Sequence, residues 1–272
     1  DLLDSDNTMF IGGEDSVLAY QDEIVGDPHS PIVLRNEWKR PTEITGGFVG
    51  VNMTFDGKLV VVTDEGWIVV LERDFSDHVA IALPGQEVAA AHNAEVVANG
   101  ITLASASWVR NSIAVDDQGG IYAVSFDEIH KVMWDGIKLS ISPDDGAWSV
   151  PYSNGNGKGS GATPALMGYC DDRFVVVTDG DAQMNVMLFW RDAIPQDWEN
   201  IEGQTNPRVA GNALVTMDDA NLTAIQSEQG VVVGGYGALV VNNDSPTIPD
   251  GYPARAARLL VAYSGADPAF AP

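Results

Sequence analysis

Oxygen-bearing side chains recur at similar places in several similar stretches of the chain. Asn52 lies four residues before the turn residue Asp56, and Asn111 lies five before Asp116. Glu228 occupies a comparable place in a later stretch. Amide and carboxylate oxygens are the hard ligands that Ca²⁺ prefers in proteins. Asn52, Asn111 and Glu228 are therefore predicted calcium ligands, and Glu228 is also a candidate general base.

A pair of carboxylates follows a predicted strand in VTDGDAQMN, residues 177–185. Asp179 and Asp181 lie at the end of that strand, where a carboxylate can bind a cation or activate a water molecule. We therefore add Asp179 to the candidate ligands and to the candidate catalytic residues. A structural alternative stays open for all of these positions, because Asn and Asp side chains also bond to nearby backbone groups in turns.

Other common site chemistries do not match the sequence. A single cysteine, Cys170, excludes an intramolecular disulfide and a zinc cluster made of cysteines. The four histidines lack the spacing of a zinc hydrolase. The glycine-rich stretch GKGSGATP, residues 157–164, lacks the residue order of a phosphate-binding loop, and Ser160 is not in a G-x-S-x-G elbow.

The elements that must position the candidates follow a repeated order: an apolar run, a polar turn, and further apolar runs. Turns such as Asp56-Gly57 between β-branched runs are strong hairpin signals, because glycine supplies the positive φ that such turns need. The first turns lie about 55 to 60 residues apart, at Asp56, Asp116, Asp171 and Gln229. The clearest repeats span residues 48–74, 111–135, 163–192 and 224–244.

Short β-branched runs repeated at long, regular spacing predict an all-β fold, and a β-propeller in particular. A β-sandwich is the alternative. We predict one propeller domain over residues 1–272, with six blades; five to eight are compatible with the spacing, and the chain can be an incomplete ring. Long loops between blades are predicted near 84–108, 135–162 and 192–222. Within the first loop, residues 86–98 show near-helical spacing that leaves their structure undecided.

The propeller architecture explains how distant repeats can build one site. The innermost strand of each blade lines a central channel, so equivalent residues of different blades face a common axis. Side chains that are far apart in the sequence would then converge on one bound ion.

The stretch NSIAVDDQGGIYAVS, residues 111–125, resembles the repeat of the SMP-30/gluconolactonase and strictosidine-synthase-like six-bladed propellers. That repeat has an asparagine, a small residue, an apolar strand, Asp-x-x-Gly, and then Ile/Leu-Tyr. The resemblance implies that Asn111 binds calcium and that the ion activates a lactone carbonyl or a water molecule. Asn52 matches only in part, because its stretch lacks the Asn-Gly/Ser start. Most of residues 46–244 also resembles uncharacterised secreted bacterial propeller proteins.

Composition limits the partners. Lys and Arg total 14 against 39 Asp and Glu, which gives a formal net charge of −25. Such a surface repels phosphate backbones and anionic membranes, so we expect no nucleic-acid partner. The sequence has no run of 18 apolar residues that would predict a membrane span. The start of the sequence predicts a mature product or an excerpt, and we expect an extracellular or periplasmic location.

Together these observations predict an exported propeller that acts as a calcium-dependent hydrolase of the lactonase or esterase type, on a small-molecule ester or lactone. Calcium would polarise the carbonyl group, and a carboxylate would activate water. The alternative is a non-catalytic propeller scaffold that binds a protein or carbohydrate partner, since one fold hosts many functions.

Overall fold

The computed structural model describes residues 1–218, 221–243 and 255–260. The chain divides into two compact units, Asp1–Ser149 (unit 1) and Val150–Pro272 (unit 2). Each unit is built from antiparallel sheets, and each is described by itself.

Unit 1 contains three antiparallel sheets whose strands follow one another along the fully described backbone of this unit. The sheet orders are β1-β2-β3-β4, β5-β6-β7-β8 and β9-β10-β11-β12. The strands are β1 (Leu2–Leu3), β2 (Met9–Gly12), β3 (Ser16–Asp22), β4 (Ile32–Lys39), β5 (Phe48–Met53), β6 (Leu59–Thr63), β7 (Trp67–Leu71), β8 (His78–Ala82), β9 (Ala114–Val115), β10 (Gly120–Val124), β11 (Glu128–Trp134) and β12 (Leu139–Ser140). The strand β13 (Trp148–Pro151) spans the boundary between the units.

Unit 2 continues the same pattern. Its described strands form a four-stranded sheet in the order β14-β15-β16-β17 and a three-stranded sheet in the order β18-β19-β20. They are β14 (Ala165–Tyr169), β15 (Asp172–Thr178), β16 (Asn185–Trp190), β17 (Val209–Leu214), β18 (Val232–Gly234), β19 (Gly237–Asn242) and β20 (Arg255–Leu260).

The middle sheet of unit 1 explains why the apolar runs do not alternate with polar residues. Val60 and Val62 belong to a core with Ile121 of the third sheet and with Ile113, which directly precedes that sheet's first strand. Their neighbours Leu59 and Val61, together with Val69, Leu71 and Phe48, pack instead with Phe10, Val17 and Trp38 of the first sheet. Both faces of β6 are therefore buried, so its residues Leu59 to Val62 are all apolar and do not alternate with polar residues.

Four-stranded antiparallel sheets that follow one another in chain order and pack face to face are the blades of a β-propeller. The predicted all-β propeller class is confirmed by this architecture. The number of blades and the single-domain boundary of residues 1–272 stay predictions.

Short polar side chains close the turns between strands. At the β9–β10 turn, Asp116 Oδ1 accepts hydrogen bonds from the backbone N–H groups of Gln118 (2.9 Å) and Gly120 (2.7 Å). Gly119 has a φ of +84°, and a Cβ at this position would lie 2.0 Å from the Trp134 carbonyl oxygen. The D-x-x-G pattern is therefore required by the turn itself.

Outer strands and helices account for the differences from the predicted loops. The undecided segment forms a 3₁₀ turn, Gln86–Val88, and then helix α1 (Ala89–Ala98), which buries Ala89, Asn93 and Val96; a second, short helix α2 (Leu103–Ala106) follows. The predicted loop 192–222 contains β17, and 135–162 contains β12 and β13. β17 is half exposed and consists largely of small residues, with Ala, Gly and Asn between Val209 and Leu214, so it carries no strong apolar signal.

Candidate functional site

A polar hollow of about 430 Å³ lies in unit 2. It forms where the β15–β16 connection meets the segment after β13, the face of β16 and β17, and the loop before β17. We call it the unit 2 hollow. Its polar lining consists of Tyr152, Ser153, Asp179, Asp181, Asn185, Gln204 and Asn212.

Asp179 is held at the hollow's wall by the connection between β15 and β16. Its backbone N–H donates to the Asn185 carbonyl (3.0 Å), while its carboxylate accepts from the Asn185 N–H (2.9 Å) and side-chain Nδ2 (2.6 Å). The Asp181 N–H also points to Asp179 Oδ1, at 3.3 Å. Burial raises the pKa of Asp179, and these hydrogen bonds oppose the rise without cancelling it.

Asp181 ties a second segment to the hollow. Its Oδ1 accepts from the Ser153 hydroxyl (2.6 Å) and from the Gly155 N–H (2.8 Å). A Cβ on Gly155 would lie 2.7 Å from that same oxygen, so this close approach depends on glycine. The carboxylate thereby fixes the chain that follows β13 against the β15–β16 connection.

The remaining polar groups of the hollow are the Tyr152 hydroxyl, which accepts from the Ser160 N–H (3.0 Å), and two amides. The Gln204 and Asn212 side chains each offer both an N–H donor and a carbonyl acceptor. No Lys or Arg belongs to the lining formed by the described residues. The hollow therefore presents acceptors and amide donors, with two carboxylates and no fixed positive charge.

The sequence-predicted residues Asn52 and Asn111 lie in unit 1. Asn52 closes β5: its Nδ2 donates to the Ile113 carbonyl (2.9 Å), and its Oδ1 accepts from the Met53 N–H (2.8 Å). Asn111 is half buried in the bend that precedes β9. The Asn52–Ile113 bond brings β5 against the segment that contains Asn111, so the two predicted asparagines belong to neighbouring pieces of chain.

Glu228 lies in unit 2 and is exposed. Its backbone N–H donates to Asn243 Oδ1 (2.9 Å), and its carboxylate lies beside Gly161, where a Cβ would come within 2.8 Å of Oε2. Glu228 is not part of the lining of the unit 2 hollow. Of the four predicted site residues, Asp179 alone lines it.

Among the described residues, no group of three or more His, Cys, Asp or Glu side chains is arranged to hold a metal ion. The predicted ligands fall into two pairs, Asn52 with Asn111 in unit 1 and Asp179 with Glu228 in unit 2. Their convergence on one calcium ion stays a prediction.

Sequence reasoning missed Ser153, Gln204 and Asn212. All three lie within stretches predicted as long loops between blades, 135–162 and 192–222. The signal that could have found them is the length of those loops, because long connections on a rigid scaffold commonly carry binding residues.

A membrane-spanning helix would need to be longer and more apolar than any helix in the described part of the chain.

Comparisons with known proteins identify similar proteins but no family for this chain. No family model matches the chain. An uncharacterised protein of Archaeoglobus fulgidus is 33% identical over 246 residues, which cover 88% of this chain and 43% of the relative. The chain thus spans less than half the length of that archaeal protein.

Two similar solved structures are bacterial proteins. BamB from Moraxella catarrhalis is 9% identical with a TM-score of 0.47, over 88% of this chain and 59% of BamB. AztD from Citrobacter koseri is 13% identical with a TM-score of 0.42, over 77% of this chain and 44% of AztD. The predicted resemblance to the SMP-30/gluconolactonase family stays a prediction.

Proposed function

We propose that this chain is part of an exported propeller scaffold that binds a small carbohydrate in the unit 2 hollow. The observation that carries the proposal is the lining of the hollow. Two carboxylates, three amides and two hydroxyl groups surround one open space. Sugar hydroxyls both donate and accept hydrogen bonds, and this mixture of acceptors and amide donors suits them.

Charge and hydrogen bonding favour a neutral ligand over other classes. Asp179 and Asp181 would repel a phosphate or a carboxylate, and the described lining has no cation to offset them. Three of the four oxygens of these two carboxylates already accept hydrogen bonds from N–H or O–H groups. Those donors compete with a metal ion for these three oxygens.

The first prediction tests this site by calorimetric titration with neutral mono- and disaccharides. Replacing the exposed Asn212 by alanine removes one donor and one acceptor without disturbing the core. We expect saccharide affinity to fall about fivefold, which corresponds to a loss of about 1 kcal/mol for one hydrogen bond.

The matched control is Asn99→Ala, which removes an exposed asparagine at the end of α1 in unit 1 and should leave the affinity unchanged. If no neutral saccharide binds at tens of millimolar, or if the two variants behave alike, the carbohydrate proposal fails.

The second candidate is the calcium-dependent lactonase or esterase. The observation favouring it is the buried Asp179 carboxylate, whose burial-raised pKa suits proton transfer, beside Asp181 in the same hollow. Asp181 Oδ2 and the amide oxygens of Gln204 and Asn212 are hard ligands that could hold Ca²⁺ there. When bound, the ion would supply Lewis-acid polarisation of an ester or lactone carbonyl.

In that reaction Asp179 would accept a proton from the attacking water, and Asn185 would hold the carboxylate in place through its two hydrogen bonds. The second prediction is that calcium at about 100 times its Kd raises the free energy of unfolding by about 2.7 kcal/mol. Asp181→Asn should reduce that gain, and Asp179→Asn should abolish hydrolysis of a test lactone. An unchanged melting temperature at millimolar calcium would rule out this candidate.

A further inference from the structure

A second, smaller hollow of about 200 Å³ lies in unit 1. It forms where the β5–β6 turn and the β7–β8 turn of the middle sheet meet the β11–β12 turn of the third sheet. We call it the unit 1 hollow. Neither the proposed carbohydrate site nor the calcium hypothesis uses any of its residues.

The floor of the unit 1 hollow is apolar. Val70 and the Trp134 ring are buried there, Val79 is half buried, and Ile137 stands at the rim with 81% of its surface exposed. The exposed Ile137 side chain lies beside the hollow and offers apolar contact area to a ligand.

The Trp134 side chain is fixed in orientation by a neighbouring carboxylate. Its indole Nε1 donates to both oxygens of Asp56, at 3.1 and 3.3 Å. Partial burial raises the pKa of Asp56, but hydrogen bonds from Thr54 and Trp134 outweigh it and leave that pKa lowered, so the carboxylate is ionised at neutral pH. With its N–H occupied, the indole has only its ring surface left for a ligand.

The rim of the unit 1 hollow is acidic. Lys58 is paired with Glu72, and Asp77 adds a second carboxylate. Lys58, Glu72 and Asp77 together carry a net charge of −1. The ionised Asp56, bonded to the Trp134 indole, adds a further negative charge nearby. An anionic ligand would be repelled by this rim, whereas a cation would be attracted to it.

We infer that the unit 1 hollow binds an aliphatic primary ammonium group, with its methylene chain on the Val70–Val79–Trp134 floor and its charged nitrogen at Asp77 and Glu72. An alkylammonium has an apolar stem and a compact cationic head, which matches an apolar floor with an acidic rim. The electron-rich face of an indole also attracts such a cation. The negative charge of the whole chain would concentrate cations near this site.

The third prediction uses 1,5-diaminopentane as the probe and the assigned indole N–H resonance of Trp134 as the readout, at constant ionic strength. Added diamine should shift this resonance progressively until the shift reaches a plateau, as expected when one binding site is filled. Asp77→Asn should weaken binding about fivefold, as expected for loss of one partly exposed ion pair. Ile137→Ser, at an exposed position, should weaken it as well.

Asp27→Asn is the matched control. Asp27 accepts a hydrogen bond from the His29 N–H as Asp77 does from the His78 N–H, and each asparagine variant changes the net charge equally. If Asp27→Asn and Asp77→Asn weaken binding to the same degree, the attraction is unspecific and the inference is wrong. Ammonium chloride shifting the Trp134 resonance as strongly as the diamine would also overturn it, because the apolar floor would then contribute nothing.

A capped Gly-Lys-Gly peptide, titrated in parallel, distinguishes two sources of the same chemistry. Tighter binding of the peptide would identify a lysine side chain of a basic protein as the ligand, and tighter binding of the diamine would identify a free amine. If neither shifts the Trp134 resonance, the site does not exist.

Discussion

Replacing Asp116 by alanine should lower the free energy of unfolding by about 3–5 kcal/mol, because a buried carboxylate with several donors would be lost. Asp116 is only 2% exposed. Its oxygens accept from the backbone of Gln118 and Gly120 and from the Tyr122 hydroxyl, the last at 2.8 Å. Alanine would leave these buried or half-buried donors without their acceptor and release the β9–β10 turn.

The measurement is urea unfolding at pH 7, followed by circular dichroism. Asp127→Ala is the matched control, since Asp127 is an exposed aspartate at the next turn of the same sheet, and its removal should change stability by less than about 0.5 kcal/mol. Asp116→Asn keeps an acceptor for the backbone groups and should cost less than the alanine. Equal stability of the Asp116→Ala and Asp127→Ala variants would contradict this account of the turn.

This prediction also bears on the resemblance to calcium-binding propellers. In this chain Asp116 and Gly119 form the Asp-x-x-Gly part of that repeat. Asp116 accepts backbone hydrogen bonds and Gly119 leaves room for a neighbouring carbonyl, and any tight connection between strands has such requirements. A large loss of stability on replacing Asp116 would show that this part of the repeat is typical of the fold and not specific to one activity.

Between pH 7 and pH 5, the buried His130 should reduce the free energy of unfolding by about 2 kcal/mol. His130 is 1% exposed, and its Nδ1 and Nε2 lie 2.8 Å from Ser149 Oγ and 2.9 Å from Ser125 Oγ. Burial lowers the pKa of His130 to about 3. As the pH falls to 5, the unfolded chain, with a histidine pKa of about 6.5, therefore binds a proton at this position that the folded chain does not bind.

The direction of the effect follows from that difference. A histidine whose pKa is lower in the folded state contributes its full stability above about pH 6.5, and the contribution is lost as the pH falls toward 3. Asp64, Glu128 and Asp179 act in the opposite direction, because burial raises the pKa of each and their protonation favours the folded state. The contribution of His130 to the pH dependence of stability must therefore be isolated by substituting that residue.

We expect the His130→Gln variant to be less stable than the parent at pH 7. Because the variant lacks the buried histidine, it should lose less stability on acidification, and the difference in free energy of unfolding between the two proteins should be smaller by about 2 kcal/mol at pH 5. His29→Gln, at an exposed position, should follow the parent at every pH. The difference in free energy of unfolding between the parent and His130→Gln could instead stay constant from pH 7 to pH 5. That result would show that His130 titrates normally and is not buried as described.

Much of the secondary structure was predictable from local patterns. LVVVT and WIVVL coincide with β6 and β7, and the turns at Asp56-Gly57 and Asp116 fall between strands. The later repeat was predicted less well. Gln229 is not a hairpin turn, because the described residues 221–231 contain no strand before β18, and the hairpin turns instead at Gly235-Tyr236. A half-exposed outer strand such as β17 was also missed, since it needs no continuous apolar run.

The candidate site was predictable only in part. Asp179 was recognised because a carboxylate at the end of a strand is a local feature. Nothing in their neighbours marks Ser153, Gln204 and Asn212 as belonging together, because they are brought to one hollow by strand order and by the paths of two long connections. The unit 1 hollow was missed for the same reason, since its floor and rim come from three separate turns.

By itself the sequence determined the strongly apolar strands, most of the tight turns, the propeller class and the acidic surface. These depend on backbone sterics, side-chain period and composition, which act between near neighbours or are simple sums over the chain. The tertiary structure alone decided that Asn52 bonds to Ile113, 61 residues further along the chain, and that His130 is buried between two serines. It also decided which polar groups surround an open space, because contacts between residues far apart in the sequence depend on how the sheets pack.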